Sequence, residues 1–137
     1  EPHVDFFQSL VNYHIDENNR LFIHGGFSNL KGPSYEFYPN IVYWDRSLWE
    51  MTLALDHNLD VESPFYPERL KLYNEIYIGH TPTSRYGHYQ PMNIKNLWNI
   101  DTGAAYQGSI SAIDIDTKEV WQSTPVQEFY PEENGRN

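Results

Sequence analysis

The sequence contains no cysteine. Disulfides, thiolate metal sites and cysteine nucleophiles are therefore excluded from its chemistry. Bases are scarce: 9 Lys and Arg stand against 19 Asp and Glu, a net charge of -10. Such an acidic excess repels phosphate backbones, so neither nucleic acid nor an anionic membrane surface is expected as a partner. No apolar run approaches the ~20 residues that a spanning helix needs, and no basic and apolar leader is recognisable. A Gly-x-Ser-x-Gly nucleophile elbow is missing. So is a glycine-rich phosphate loop, for which Gly25-Gly26 alone is far too short. Repeats and low-complexity tracts are also absent.

What remains is a chain of 137 residues, 16% of them aromatic, which argues for a packed domain rather than disorder. One domain is expected, with roughly 68% of the unfolded surface buried on folding. Val4, Phe7, Leu10 and Val11 recur at helical spacing and predict a first helix. After a turn at Asp16-Glu17-Asn18-Asn19, Arg20 to His24 reads as a short buried strand stopped by Gly25-Gly26. Residues 28–42 read as a loop. Trp44, Leu48, Met51 and Leu55 form one apolar stripe and predict a second helix ending near His57-Asn58, with Trp44 in the core. Pro64 and Pro67 mark another loop. Asn74 to His80 predicts a second strand, residues 81–93 a loop, and Leu97 to Asp101 a third strand. Ser109 to Asp116 predicts a fourth strand, with a bulge between Ile110 and Ile113. Asp116-Thr117-Lys118-Glu119 reads as a hairpin turn into Val120-Trp121-Gln122. The fold class expected is α/β with a mixed sheet. The domain would occupy residues 1–124, with 125–137 an extended tail.

Two strands end alike. Leu21-Phe22-Ile23-His24-Gly25-Gly26 and Ile76-Tyr77-Ile78-Gly79-His80-Thr81-Pro82 each run apolar residues into a His and then into residues that turn the backbone. In α/β sheets ligands gather beyond the carboxyl ends of strands, and two imidazoles placed there on neighbouring strands can share a metal ion. The plainer reading is that each His makes an ordinary strand-end hydrogen bond. Arg46, in Trp44-Asp45-Arg46-Ser47, opens the second helix, where a cation opposes the helix dipole. Its planar fork suits phosphate or carboxylate; a salt bridge to Asp45, Glu50 or another acid is the plainer alternative. Asp101, in Asn99-Ile100-Asp101-Thr102-Gly103, could support a His, but Asp-Thr-Gly at a strand end more often forms a turn around the Asp. His3, His14, His57 and His88 carry no pattern.

Taken in order, Phe22-Ile23-His24-Gly25-Gly26-Phe27, Trp44-Asp45-Arg46, Ile78-Gly79-His80-Thr81-Pro82 and Asn99-Ile100-Asp101-Thr102-Gly103-Ala104 resemble the C-terminal half of calcineurin-like metallophosphoesterases, in their bacterial and phage serine/threonine protein phosphatase branch. The resemblance runs from about His3 to Trp121-Gln122. It implies two facing mixed sheets flanked by helices, with two divalent ions at the strand ends, manganese first and iron or zinc as alternatives. By the resemblance, His24 and His80 would be metal ligands and Arg46 would hold substrate phosphate, while Asp101-Thr102-Gly103 would wall the site. The implied activity is hydrolysis of a phosphorylated protein or small phosphoester, in the cytoplasm. The family's Asp-x-His, Gly-Asp-x-x-Asp-Arg and Gly-Asn-His-Glu motifs do not occur in these 137 residues. With Glu1 as the first residue, the expectation is part of a longer enzyme, inactive alone. The face left by the missing half would be apolar or covered by self-association. Two other readings belong to different classes. One is a degenerate phosphatase half that only binds partners. The other is a carbohydrate-binding module whose stacking face would be Trp44, Trp49, Trp98 and Trp121.

Overall fold

A computed structural model describes residues 2–133. Seven strands and four short helices follow one another: α1 (Pro2–Gln8), β1 (Tyr13–Ile15), β2 (Arg20–Ile23), α2 (Ser47–Leu53), α3 (Glu68–Lys71), β3 (Glu75–Ile78), β4 (Met92–Ile94), β5 (Leu97–Asn99), β6 (Ser111–Ile113), β7 (Val120–Gln122) and α4 (Val126–Phe129). The class is α/β. Five strands form one mixed sheet in the order β1-β2-β3-β5-β4. The central β2, β3 and β5 run parallel, and the edge strands β1 and β4 run antiparallel to their neighbours. β6 and β7 make a separate hairpin. No helix among the described residues is long and apolar enough to cross a membrane.

The sheet buries one face through side-chain alternation. Leu21 and Ile23 of β2, Ile76 and Ile78 of β3 and Leu97 of β5 belong to one core cluster with Phe27, Val42, Leu48, Trp49, Tyr66 and Leu70. These come from the long β2–β3 connection, the crossover that parallel pairing requires, which covers this face of the sheet. On the other face Phe22, Tyr77 and Trp98 stack in a row across the three parallel strands, with centroids 5.1 and 6.4 Å apart. Each apolar run thus serves two faces, which is why the runs show no polar alternation.

Several expectations are corrected. The first helix stops at Gln8, short of Leu10 and Val11, and buries nothing: Val4, Phe6 and Phe7 are all exposed. The second helix begins only at Ser47, because the Asp45 carboxylate accepts the Leu48 N–H at 3.1 Å and the Ser47 hydroxyl at 2.7 Å. Trp44 therefore falls outside the helix and is 68% exposed, whereas Trp49 takes the core position. The segment read as one loop over 28–42 contains 3-10 turns at Pro33–Tyr35 and Pro39–Tyr43. The expected fourth strand is only Ser111–Ile113. It pairs in plain register with β7 and has no bulge: the Ser123 N–H donates to Ile110 O at 3.0 Å, which carries the same register one step further. The hairpin turn is held by Asp114, whose carboxylate accepts the N–H groups of Asp116 and Thr117, with Lys118 in the left-handed region at φ 62. The tail is not wholly extended: α4 turns back so that the Val126 N–H reaches Gly108 O at 3.0 Å. Residues 134–137 of that expected tail lie outside the described residues.

Candidate functional site

β2 and β3 are adjacent and parallel, so the residues that follow them emerge at the same sheet edge. His24 and His80 are those residues. The pairing continues one step past the strands, where the Gly79 N–H donates to His24 O at 2.8 Å. Their ring centroids lie 5.3 Å apart at an interplanar angle of 61°. Two imidazoles bound tetrahedrally to one ion, with nitrogens about 2.1 Å from it, would have centroids about 5.4 Å apart. The pair fits a shared ion on this count.

Local backbone chemistry explains the placement. The N–H groups of Gly25 and Gly26 both reach Val42 O, at 2.8 and 3.3 Å. A Cβ on Gly25 would stand 2.9 Å from that oxygen, and one on Gly26 would stand 2.6 Å from Asp45 Oδ2. Only glycine lets the 42–46 segment come this close. The approach carries Trp44 edge-on to His80, with centroids 5.5 Å apart, and brings Arg46 to the same edge. His80 itself sits at φ 66, inside a three-residue turn closed by the Thr81 N–H on Gly79 O at 2.7 Å. A non-glycine residue in that region costs energy and is held by its surroundings. What holds it is Asn99, fully buried on β5, which donates to Thr81 O at 2.8 Å and accepts the Asp101 N–H at 3.1 Å.

His80 is half-buried, and burial lowers its pKa below the ordinary 6.5. Nearby His24 and Arg46 push it the same way, and Asp101 opposes them. A neutral imidazole is the form a metal ion requires. Arg46 makes no salt bridge to Asp45, to Glu50 or to any other acid among the described residues. Asp101 does form the turn read from the sequence, accepting the Gly103 N–H at 3.0 Å, and its own carbonyl accepts the Thr83 N–H at 2.8 Å. The donor set is small. Among the described residues no group of three His, Asp or Glu could together hold an ion.

Arg46 and His80 open on a cleft of about 490 Å³ that also exposes Arg85, Tyr89 and Tyr106. His24 faces a neighbouring groove of about 590 Å³, lined by Leu10, Val11, Tyr13, Phe22 and Tyr43. The two imidazoles thus stand on the ridge between two depressions. Sequence reading missed Asn99 and Arg85. Asn99 falls inside the expected third strand with no role assigned to it, although an Asn buried between apolar strand positions must find hydrogen-bond partners and so orders whatever supplies them. Arg85 sat in a segment read only as loop. Pro82 and Gly87, which open and close a 3-10 turn at Thr83–Tyr86, were the available signal. Of the four tryptophans suggested as a stacking face, Trp49 is buried, Trp98 packs in the aromatic row, and only Trp44 and Trp121 are exposed. No protein-family model matches the sequence, and no curated protein matches it.

Proposed function

We propose that this chain supplies one side of a metal-dependent phosphoester-hydrolysing site of the calcineurin-like type, its mixed sheet being half of that family's sandwich. The observation that carries this reading is the His24–His80 pair at the sheet edge, with Arg46 lining the cleft on which His80 opens. His24 and His80 would be donors to one divalent ion, manganese first. Bound ions of this kind generate a hydroxide near neutral pH and offset charge on the transferred group. Both donors are neutral, so they hold a cation without cancelling its charge, which leaves that charge available to a phosphoryl group. Arg46 offers a fork to two phosphoryl oxygens and needs no change of protonation to do so. Trp44, edge-on to His80, limits the directions in which that ring can turn. The remaining donors would come from the three motifs that these 137 residues do not contain, and the exposed residues Phe6, Phe7, Leu10 and Val11 offer apolar surface to meet them or a second copy. The substrate would be a phosphorylated protein of the serine/threonine type or a smaller phosphoester.

Hydrolysis of p-nitrophenyl phosphate with Mn²⁺ tests the reading. The 137 residues alone are expected to show negligible turnover. Turnover should appear when a polypeptide bearing the three motifs is joined to them, and His24→Ala or His80→Ala should each nearly abolish it. Turnover that survives both substitutions would overturn the assignment of the two histidines, and no turnover in the joined polypeptide would favour a module that only binds.

A further inference from the structure

The chain is poor in bases, so the disposition of each base carries information. Arg136 lies outside the described residues, and eight other Lys and Arg lie within them. Six of these eight are engaged. Arg20 pairs with Asp16 and Asp116, Lys71 with Glu68, and Lys118 with Glu75. Arg69 donates to Phe27 O and Ser47 Oγ, and Lys95 to the carbonyls of His57 and Leu59. Lys31 lies over the Tyr35 ring. Two have side chains with no carboxylate, hydrogen-bond or ring partner among the described residues: Arg46 and Arg85. Both line the same cleft, beside His80. With 19 acids in the chain, leaving two guanidinium groups uncompensated in one concavity concentrates positive potential where the rest of the surface is negative.

The backbone that carries Arg85 is also fixed in place. Its 3-10 turn is tied down by the Thr83 N–H on Asp101 O at 2.8 Å and the Arg85 N–H on Pro82 O at 3.1 Å, and it ends at Gly87 with φ 75. The turn that carries Tyr106 abuts it. Tyr106 N–H donates to Gly103 O at 2.9 Å, and Gly103, at φ 84, lies so close that a Cβ there would stand 2.5 Å from Ser84 Oγ. The cleft wall is therefore made of two interlocked turns, with Arg85 on one and Tyr106 on the other.

We infer that Arg85 is a second anion-binding residue of this cleft, so that the ligand is a phosphoryl compound with another oxyanion, a carboxylate or a phosphate, near the phosphoryl group that Arg46 holds. This rests on the phosphoester reading of Arg46. A guanidinium fork accepts either oxyanion in bidentate fashion, and two forks in one cleft distinguish a doubly anionic ligand from a singly anionic one. Tyr89 and Tyr106 would border the linker between the two anions.

Binding of three probes to the 137-residue chain, measured by phosphorus NMR titration at constant ionic strength, tests the inference. Glycerol 3-phosphate carries one anionic group, 3-phosphoglycerate adds a carboxylate, and tripolyphosphate adds further phosphates. At least one of the latter two should bind roughly fivefold or more tightly than glycerol 3-phosphate. Arg85→Ala and Arg85→Gln should erase that advantage, weakening the better-binding probe several-fold more than glycerol 3-phosphate. Lys31→Ala removes the same charge away from the cleft and should leave the advantage intact. Equal binding of all three probes, or an advantage that persists in both Arg85 variants, would overturn the second anion site. The phosphoester reading fails separately, if Arg46→Ala weakens none of the probes. Which of the two additions gains affinity identifies the second anion as carboxylate or phosphate.

Discussion

His80 combines an uncommon backbone conformation with the position nearest the proposed chemistry. L-residues in the left-handed region cost on the order of 1–2 kcal/mol relative to ordinary conformations, and glycine avoids the cost. From that turn the imidazole lies 5.3 Å from the His24 ring, and Asn99 fixes the turn through Thr81. The consequence appears in stability rather than function. His80→Gly should melt at higher temperature than His80→Ala, by roughly 3 °C for a gap of about 1 kcal/mol in a chain of this size. Both variants lose the ring, so the difference isolates the backbone. Equal melting temperatures, or a more stable alanine variant, would show that φ at residue 80 is not positive in solution. At this scale the sequence was legible where a side chain is tied to backbone-bending neighbours: His24 before Gly25-Gly26, and His80 between Gly79 and Thr81-Pro82. Arg85 was not legible, because no periodicity or spacing records which cations lack a partner; that is a property of the folded surface.

At the scale of elements, the strands that carry the site are short, and two cations tie the β6–β7 hairpin to the sheet: Arg20 of β2, on Asp116 at 2.6 Å, and Lys118. Lys118 Nζ donates to Glu75 Oε2 and to the Tyr77 hydroxyl, both at 2.8 Å, and also to Ile115 O, while lying over the Tyr77 and Trp98 rings. Burial alone would raise the Glu75 pKa, but the hydrogen bonds from Lys118 and Tyr77 outweigh it and hold the carboxyl below 4.5. Burial alone would lower the Lys118 pKa, but Glu75 and Tyr77 hold it above 10.5. The sign follows from linkage. A depressed carboxyl stabilises the fold above its unfolded value and loses that contribution as the pH falls below 4.5. A raised ammonium stabilises below 10.5 and loses its contribution as the pH climbs past it. The fastening is therefore complete between about pH 5 and pH 10. Lys118→Met should cost about 1 kcal/mol at pH 7 and flatten the acid limb of the stability profile between about pH 5 and pH 3, measured by urea unfolding. A variant whose acid limb matches the parent's would show that the pair does not hold the hairpin. β1 and β4 escaped sequence reading because three-residue edge strands such as Tyr13-His14-Ile15 are too short for alternation to declare itself. Trp44 was misplaced for a related reason: the Asp45 cap, not the apolar stripe, decides where α2 starts.

For the whole molecule, the parallel trio β2, β3 and β5 does two things at once. One face makes the core with the roofing helices, and the carboxyl edge gathers His24, His80 and, by way of the glycine-permitted contact, Arg46. The apolar runs made those strands readable, but the exposure of α1 was not. Its helical spacing implied a buried stripe, and spacing reports which residues share a face without saying whether anything packs on it. The central claim is that His24 and His80 jointly hold one divalent ion while Arg46 serves the anion. Titration of the 137-residue chain with Co²⁺, followed by the absorption of the nitrogen-bound ion, tests it most directly. One equivalent should bind, weakly for want of charged donors. His24→Ala and His80→Ala should each abolish that binding, and Arg46→Ala should leave it unchanged or slightly tighter, since a neighbouring positive charge is removed. Binding that survives in both histidine variants, or that is lost in Arg46→Ala, would contradict the claim.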